Sequence, residues 1–190
     1  MKIITGTAKG RNLKTMPGDM TRPTSERIKE AMFSSIQFDI EHRRTLDLFA
    51  GCGQLGLEAL SRGAESCMFI DSSREAMEIV KANAASTLLH DKCKYLVSDA
   101  RNYVRKVSGR EKFDLVFIDP PYAMECCTDL MRRLADGGVL ALGAIVVLES
   151  GSEIIDAAAY PDFELTKTKS YGSKTSLNIF IYRGRGDDVI

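Results

Sequence analysis

Along this chain, short runs of consecutive apolar residues alternate with longer stretches in which apolar positions recur every three or four residues. The runs Thr45–Phe49, Ser66–Ile70, Cys93–Val97, Phe113–Ile118 and Ala144–Leu148 are rich in β-branched and aromatic side chains, so they read as buried strands. Between them, Leu55–Arg62 (with Gly63 as its stop), Ser73–Thr87, Ala100–Val107 and Cys126–Ala135 carry the helical period. Repeated β-α-β units of this length predict an α/β fold built on a parallel, doubly wound sheet. The pattern changes at the end, where Phe163–Tyr171 and Thr175–Tyr182 flank Gly172-Ser-Lys and predict an antiparallel hairpin on one edge.

The first 44 residues differ from the rest. Lys2–Thr5 and Arg11–Lys14 bracket a glycine-bounded turn and predict a small β-hairpin. Met16–Pro23 reads as a loop, and Thr24 or Ser25 is expected to cap a helix that buries Ile28, Met32 and Ile36 and ends near Phe38. Residues 1–44 form an N-terminal extension and residues 45–190 the main body. At 190 residues the whole suits one domain with a substantial core. The formal charge is balanced, yet residues 1–44 hold 9 Lys/Arg against 5 Asp/Glu, whereas residues 45–190 hold 17 against 21. A basic N-terminal arm on a mildly acidic body is compatible with a nucleic-acid partner.

Other classes are disfavoured. Five cysteines without C-x-x-C spacing and two distant histidines give no basis for a metal site, so none is expected. The odd cysteine count, with no signal peptide, implies reduced thiols in a cytoplasmic protein, and Cys126-Cys127 are expected to be buried helix residues. The longest apolar run, Val139–Leu148, has 10 residues, too few to cross a bilayer, which takes ~20. A monomer without membrane association is the expectation.

The chemistry gathers at the strand ends. Phe113–Ile118 stops at Asp119-Pro120-Pro121-Tyr122, where two prolines cannot continue a ladder. The strand therefore presents a carboxylate, a stiff turn and an aromatic ring at the edge where open α/β sheets bind ligands. Such a set suits a planar group bearing an exocyclic amine: Asp119 and the Pro120 carbonyl accept its hydrogens, and Tyr122 stacks on the ring. The first strand runs through Asp47, Phe49, Gly51 and Gly53 into a helix, and the glycines allow close backbone approach to a ligand. Gly51-x-Gly53-x-x-Gly56 also satisfies a dinucleotide fingerprint. Asp71, followed by Ser72, lies 24 residues after Asp47 and is placed to hold ribose hydroxyls.

Three features favour S-adenosylmethionine over NAD. Asp47 would repel a pyrophosphate but suits the amino-acid end of a zwitterionic cofactor. Asp99-Ala100 follows the third strand, where a carboxylate can accept from an adenine amine. Asp119-Pro-Pro-Tyr has a use in amine methylation and none in hydride transfer. Each acid taken singly could be a helix cap, and Asp-Pro is also ordinary turn punctuation. Four acids on one sheet edge are harder to read that way.

Lys9-Gly10-Arg11, Arg22-Pro23-Thr24, Arg27, Glu30 and Phe33 resemble the opening of the RsmD family, bacterial 16S rRNA guanine-N2 methyltransferases. The resemblance extends through Asp47-Leu-Phe-Ala-Gly51, Gly56–Ala64, Asp119–Tyr122 and the terminal Tyr171-Gly172 hairpin. Cys52 and Gln54 stand where smaller residues are expected. The resemblance implies a Rossmann-like class I methyltransferase: a mostly parallel seven-stranded sheet with a C-terminal antiparallel hairpin. It also implies methyl transfer to the N2 amine of one guanine in 16S rRNA, on the assembled or assembling small subunit. Lys9, Arg11, Arg22, Thr24 and Arg27 would then meet the RNA, with Arg11 and Arg22 overhanging the cofactor cleft. Asp119 would belong to both the catalytic and the cofactor-binding set. Rival readings are methylation of adenine N6 or cytosine N4 in DNA or of a protein glutamine, an NAD-linked oxidoreductase, and a silent RNA-binding assembly factor.

Overall fold

The computed structural model of the chain describes residues 1–16, 23–121, 124–151, 153, 155–171 and 175–184, with the backbone alone at 23–25. In chain order the elements are α1 (Pro23–Ile36), β1 (Arg44–Asp47), α2 (Gln54–Ser61), β2 (Ser66–Asp71), α3 (Arg74–Thr87) and β3 (Cys93–Val97). They continue with α4 (Ala100–Val107), β4 (Phe113–Ile118), α5 (Cys127–Asp136), β5 (Leu140–Ser150), β6 (Phe163–Tyr171) and β7 (Thr175–Tyr182). The seven strands form one sheet in the order β3-β2-β1-β4-β5-β7-β6. β1 to β5 are parallel, and β7 runs antiparallel between β5 and β6. The chain moves outward from β1 to β3 and returns to β4 beside β1. Their carboxyl ends therefore flank the crevice where such sheets bind ligands.

Strand alternation divides the core into two layers. Cys67 and Phe69, Leu115 and Phe117, and Ile145 and Val147 face one side, where Met32, Phe33 and Ile36 of α1 and Leu57 of α2 pack. Ile70, Val116, Ile118, Val146 and Leu148 face the other side with Val104 of α4 and Leu130 of α5. Gly56 sits where α2 meets β2: a Cβ there would lie 2.3 Å from the Phe69 ring and 2.6 Å from Cys67 Sγ. The third glycine of the motif is therefore required for helix–strand packing.

The structure departs from the sequence reading in three places. The N-terminal hairpin reduces to one antiparallel bridge, Lys2 with Asn12, flanked by backbone bonds from Ile3 N to Arg11 O and from Leu13 N to Met1 O. Further N–H groups of the segment bond the main body, Ile4 and Thr5 to Glu58, Thr7 to Ser61 O and Ala8 to Ser61 Oγ, which takes the place of a longer ladder. Helix α1 starts at Pro23, so Thr24 and Ser25 lie in its first turn and do not cap it. Proline suits that first position, because its fixed φ is helical and no N–H is needed there. β5 extends on both sides of the expected run, with a register shift opposite Phe113–Leu115 and Gly143 at φ 77° absorbing the irregularity.

The N-terminal residues pack into the same core as the sheet: Ile3, Ala8 and Leu13 are buried in the α1-side layer. Polar anchors fix them. Glu58 of α2 is fully buried and accepts from the N–H groups of Ile4 (2.7 Å) and Thr5 (3.0 Å). It also pairs with Arg62 (2.7 Å) and Lys29 (3.6 Å). Burial lowers the Lys29 pKa against the opposing pull of Glu58, and Lys29 Nζ donates to Lys2 O. Asn83 of α3 accepts from Lys14 N and donates to the carbonyls of Lys14 and Cys52. A charge bonded this way is strongly destabilising to remove when its partners stay buried. Glu58→Ala is expected to lower unfolding stability by about 3–5 kcal/mol and to expose residues 1–16 to protease. Denaturant titration and limited proteolysis check both.

Candidate active site

Four carboxylates converge at the carboxyl ends of adjacent strands. Asp47 ends β1, Asp71 ends β2, and Asp119 immediately follows β4. Glu149, the residue after Leu148 in β5, stands beside Asp119 because Ile118 is in register with Leu148. Strand alternation puts all four on the α1 side of the sheet, the side that Phe69, Phe117 and Val147 also face. Glu149 was not singled out from the sequence. Its signal was the same as for the others, an acid closing an apolar strand.

Asp47 lies deepest, at 1% exposure. Its Oδ2 accepts from Gly56 N (3.1 Å), near the start of α2, while Oδ1 completes no hydrogen bond. Burial raises its pKa to about 7, against the lowering influence of the Gly56 and Phe49 N–H groups, with Asp71 adding repulsion. Asp119 is also pushed well above the usual carboxylate range, first by burial and then by the charges of Glu149 and Asp47. One buried oxygen with no partner, facing a crevice, is a ready acceptor for a cationic ligand group.

Asp71 fastens the loops. Its Oδ2 accepts from Gly51 N (2.9 Å) and its Oδ1 from Ser73 N (2.8 Å). Gly51 (φ 54°) and Gly53 (φ 81°) adopt the left-handed conformation that carries the chain from β1 into α2. A Cβ on Gly51 would meet nothing within 4 Å, so the loop borders open space. Phe49 is half-buried against the opposite layer, and Ser72 is exposed beside Asp71. Asp99 caps α4 by accepting from Asn102 N (3.1 Å) through Oδ1, with buried Ala100 starting the helix. The capping role weighed for these acids thus holds for Asp99, which remains exposed on the same edge.

After Asp119, Pro120 is buried, Pro121 is exposed, and Met124 N bonds Pro121 O at 2.8 Å to close a turn. Tyr122, the expected stacking platform, lies outside the described residues. The far end of this loop is pinned by Glu153, which accepts from the N–H groups of Cys127 (2.9 Å) and Thr128 (2.7 Å) at the start of α5. Cys126 and Cys127 are buried with raised pKa values, chiefly through burial, as expected of core thiols.

The basic residues divide. Arg27 on α1 lies close enough to Tyr171 of β6 for its charge to act on the phenol, as does Glu149. Lys9 is exposed, and Arg11 donates to Ser86 O (2.6 Å) in the last turn of α3. That turn lies at the amino end of the sheet, so Arg11 is held away from the cleft it was expected to overhang. Arg22 and the side chain of Thr24 fall outside the described residues. Among the described residues, no group of three or more His, Cys, Asp or Glu could hold a metal ion, and no helix is long and apolar enough to cross a membrane.

The pH dependence of stability follows from Asp47. Its folded pKa is raised, so between about 4 and 7 the native state binds more protons than the unfolded chain. Stability should therefore fall as pH rises through that window. Asp47→Asn, which keeps an acceptor for Gly56 N–H, should remove up to roughly 3 kcal/mol of the decline. Denaturant midpoints at pH 4.5 and pH 8 for the two proteins check this.

The chain is similar to known proteins along most of its length. Residues 1–181 match the family model described as Conserved hypothetical protein 95. The Bacillus subtilis protein YlbH is 35% identical over 187 residues, 98% of this chain and all of that one. The Escherichia coli protein named Ribosomal RNA small subunit methyltransferase D is 33% identical over 153 residues, covering 80% and 76% of the two chains. A solved structure of the Escherichia coli protein yhhF superposes with a TM-score of 0.85 at 29% identity, over 97% of this chain and 99% of that one.

Proposed function

The chain belongs to the Conserved hypothetical protein 95 family, the RsmD family of methyltransferases, and we propose that it methylates the exocyclic N2 amine of a guanine in 16S rRNA, within the small ribosomal subunit or its assembly intermediate. S-adenosylmethionine is the cofactor. The observation that carries the reading is the row of acids on one face of the β1/β4 crevice, ending in Asp119-Pro120-Pro121.

The residues present fit the cofactor. The unpartnered Oδ1 of Asp47 suits its ammonium group, and the open backbone at Gly51, beside Phe49 and followed by the left-handed Gly53, suits close approach of its amino-acid end. Asp71 and Ser72 would take the ribose hydroxyls. Asp99, through the oxygen that does not cap α4, and the N–H of Ala100 would take the adenine edge. When bound, S-adenosylmethionine supplies an electrophilic methyl group on a positively charged sulfur.

The chain's own contribution is positioning and electrostatics. A target base must leave its stack to be reached. Asp119 and the Pro120 carbonyl would accept the two amine hydrogens and aim the nitrogen, and Tyr122 would stack on the ring. The guanine amine is barely basic, because its lone pair is delocalised into the ring. Negative charge from the carboxylate row would then favour the nitrogen as it becomes cationic, and the proton it sheds would pass to Asp119 or to water. Lys9, Arg22, Thr24 and Arg27 would contact the RNA backbone, whereas Arg11, held at the end of α3, could meet only RNA lying away from the cleft.

Radiolabelled cofactor offered to undermethylated small subunits, naked 16S rRNA, DNA and total protein tests this directly. Label in an N2-methylguanine product from subunits or rRNA is expected, and label confined to DNA or protein would overturn the substrate. Asp119→Ala should lose about 10²–10³ in turnover while binding S-adenosylhomocysteine nearly as well as the parent protein. Asp71→Ala, which unfastens Gly51 and Ser73, should weaken that binding about 10- to 100-fold. Isothermal calorimetry separates the two.

A further inference from the structure

The amine grip does not by itself choose a base. Guanine N2, adenine N6 and cytosine N4 all offer two amine hydrogens to Asp119 and the Pro120 carbonyl. What distinguishes guanine is the ring nitrogen beside the amine. N1 of guanine carries a hydrogen and donates, whereas N1 of adenine and N3 of cytosine carry lone pairs and accept. A site selective for guanine N2 therefore needs a second acceptor next to the first.

Glu149 stands at that position. It follows Leu148, whose register partner Ile118 precedes Asp119, so the two carboxylates project from adjacent parallel strands spaced ~4.8 Å apart. Alternation along β5 puts Glu149 on the same side as Val147, and alternation along β4 puts Asp119 on the side of Phe117. Glu149 and Asp119 are both half-buried, and the charges of Glu149 and Asp47 both act on Asp119. The charges of both Glu149 and Arg27 act on Tyr171 of β6, so this end of the crevice also holds a cation and a phenol. The charge of Glu149 acts on Asp119, which puts the two carboxylates side by side in the crevice. Glutamate also reaches one methylene further than aspartate, outward from the amine toward its neighbour on the ring.

We infer that Glu149 is the residue that selects guanine, by accepting the N1–H next to the amine held by Asp119. This rests on the guanine-N2 reading and names the specificity residue of that same site. A lone-pair nitrogen placed there meets a carboxylate, with no donor between them, which penalises adenine and cytosine.

The test replaces the mapped target guanine by 2-aminopurine, which keeps the 2-amine and presents a lone pair at N1, in ligated 16S rRNA reassembled into subunits. The parent protein is expected to favour guanine in kcat/KM by about 10- to 100-fold. Glu149→Gln, whose amide can donate to that lone pair, should shrink the preference at least about tenfold, with a rise on 2-aminopurine as well as a loss on guanine. Glu149→Asp should keep the preference at reduced kcat/KM. The missing O6 of 2-aminopurine affects both proteins alike and cancels in the comparison of ratios. S-adenosylhomocysteine binding verifies that each variant is folded. An unchanged ratio in Glu149→Gln overturns the inference, as does a parent ratio near one, which decides the matter even if the variant fails to fold. Absence of any label on guanine with the parent protein would instead overturn the guanine-N2 reading beneath it.

Discussion

Burial of like charge at one sheet edge governs this molecule. Asp47 is almost inaccessible, raised to a pKa of about 7, and leaves one oxygen without a partner. An unsatisfied buried acceptor costs about 1–3 kcal/mol, and Asp119 and Glu149 add repulsion across the crevice. The surroundings offset part of this. Gly56 N–H at the start of α2 faces Asp47, where the helix end carries partial positive charge. Asp71 shares its charge between the Gly51 and Ser73 N–H groups. The remaining electrostatic cost is what makes the edge receptive to a cation and to amine hydrogens.

That arrangement holds only while the loops keep their shape, and the N-terminal segment helps hold them. Asn83 bonds the Cys52 carbonyl, between Gly51 and Gly53, and both backbone groups of Lys14. Further back, a Cβ on Gly6 would overlap the Ser61 backbone, which shows how closely the segment lies on α2. Glu58 and Ser61 satisfy its N–H groups. The basic arm is therefore part of the scaffold that sets the glycine loop.

On the opposite flank, the terminal hairpin completes the crevice. β7 pairs with β5 along Ile145–Ser150, and Tyr171 at the end of β6 packs on the α1-side layer next to Glu149 and Arg27. In the proposed reading, the carboxylate beside Asp119 would distinguish a ring nitrogen that donates from one that accepts. The rivals methylating adenine or cytosine need the opposite polarity there. Substrate choice in this reading comes from one strand position.

The residue pattern alone determined the layered architecture. Strands β3 and β4, helix α4 and the terminal hairpin were legible to the residue, because each is bounded by strong breakers or caps such as Asp99, Pro120 and Gly172. Asp47, Asp71 and Asp119 were legible too, since acids that close apolar runs stand out against them. Only the tertiary structure decided which of these acids meet. Strand order puts β4 beside β1, and register puts Glu149 beside Asp119; neither follows from local sequence. Glu58, Asn83 and Glu153 looked like ordinary polar helix or loop residues. Their roles come from backbone groups 25 to 69 residues away, a distance local periodicity does not encode. Arg11 was drawn from the cleft to the end of α3 for the same reason: its partner, Ser86, is a carbonyl that only the folded chain presents.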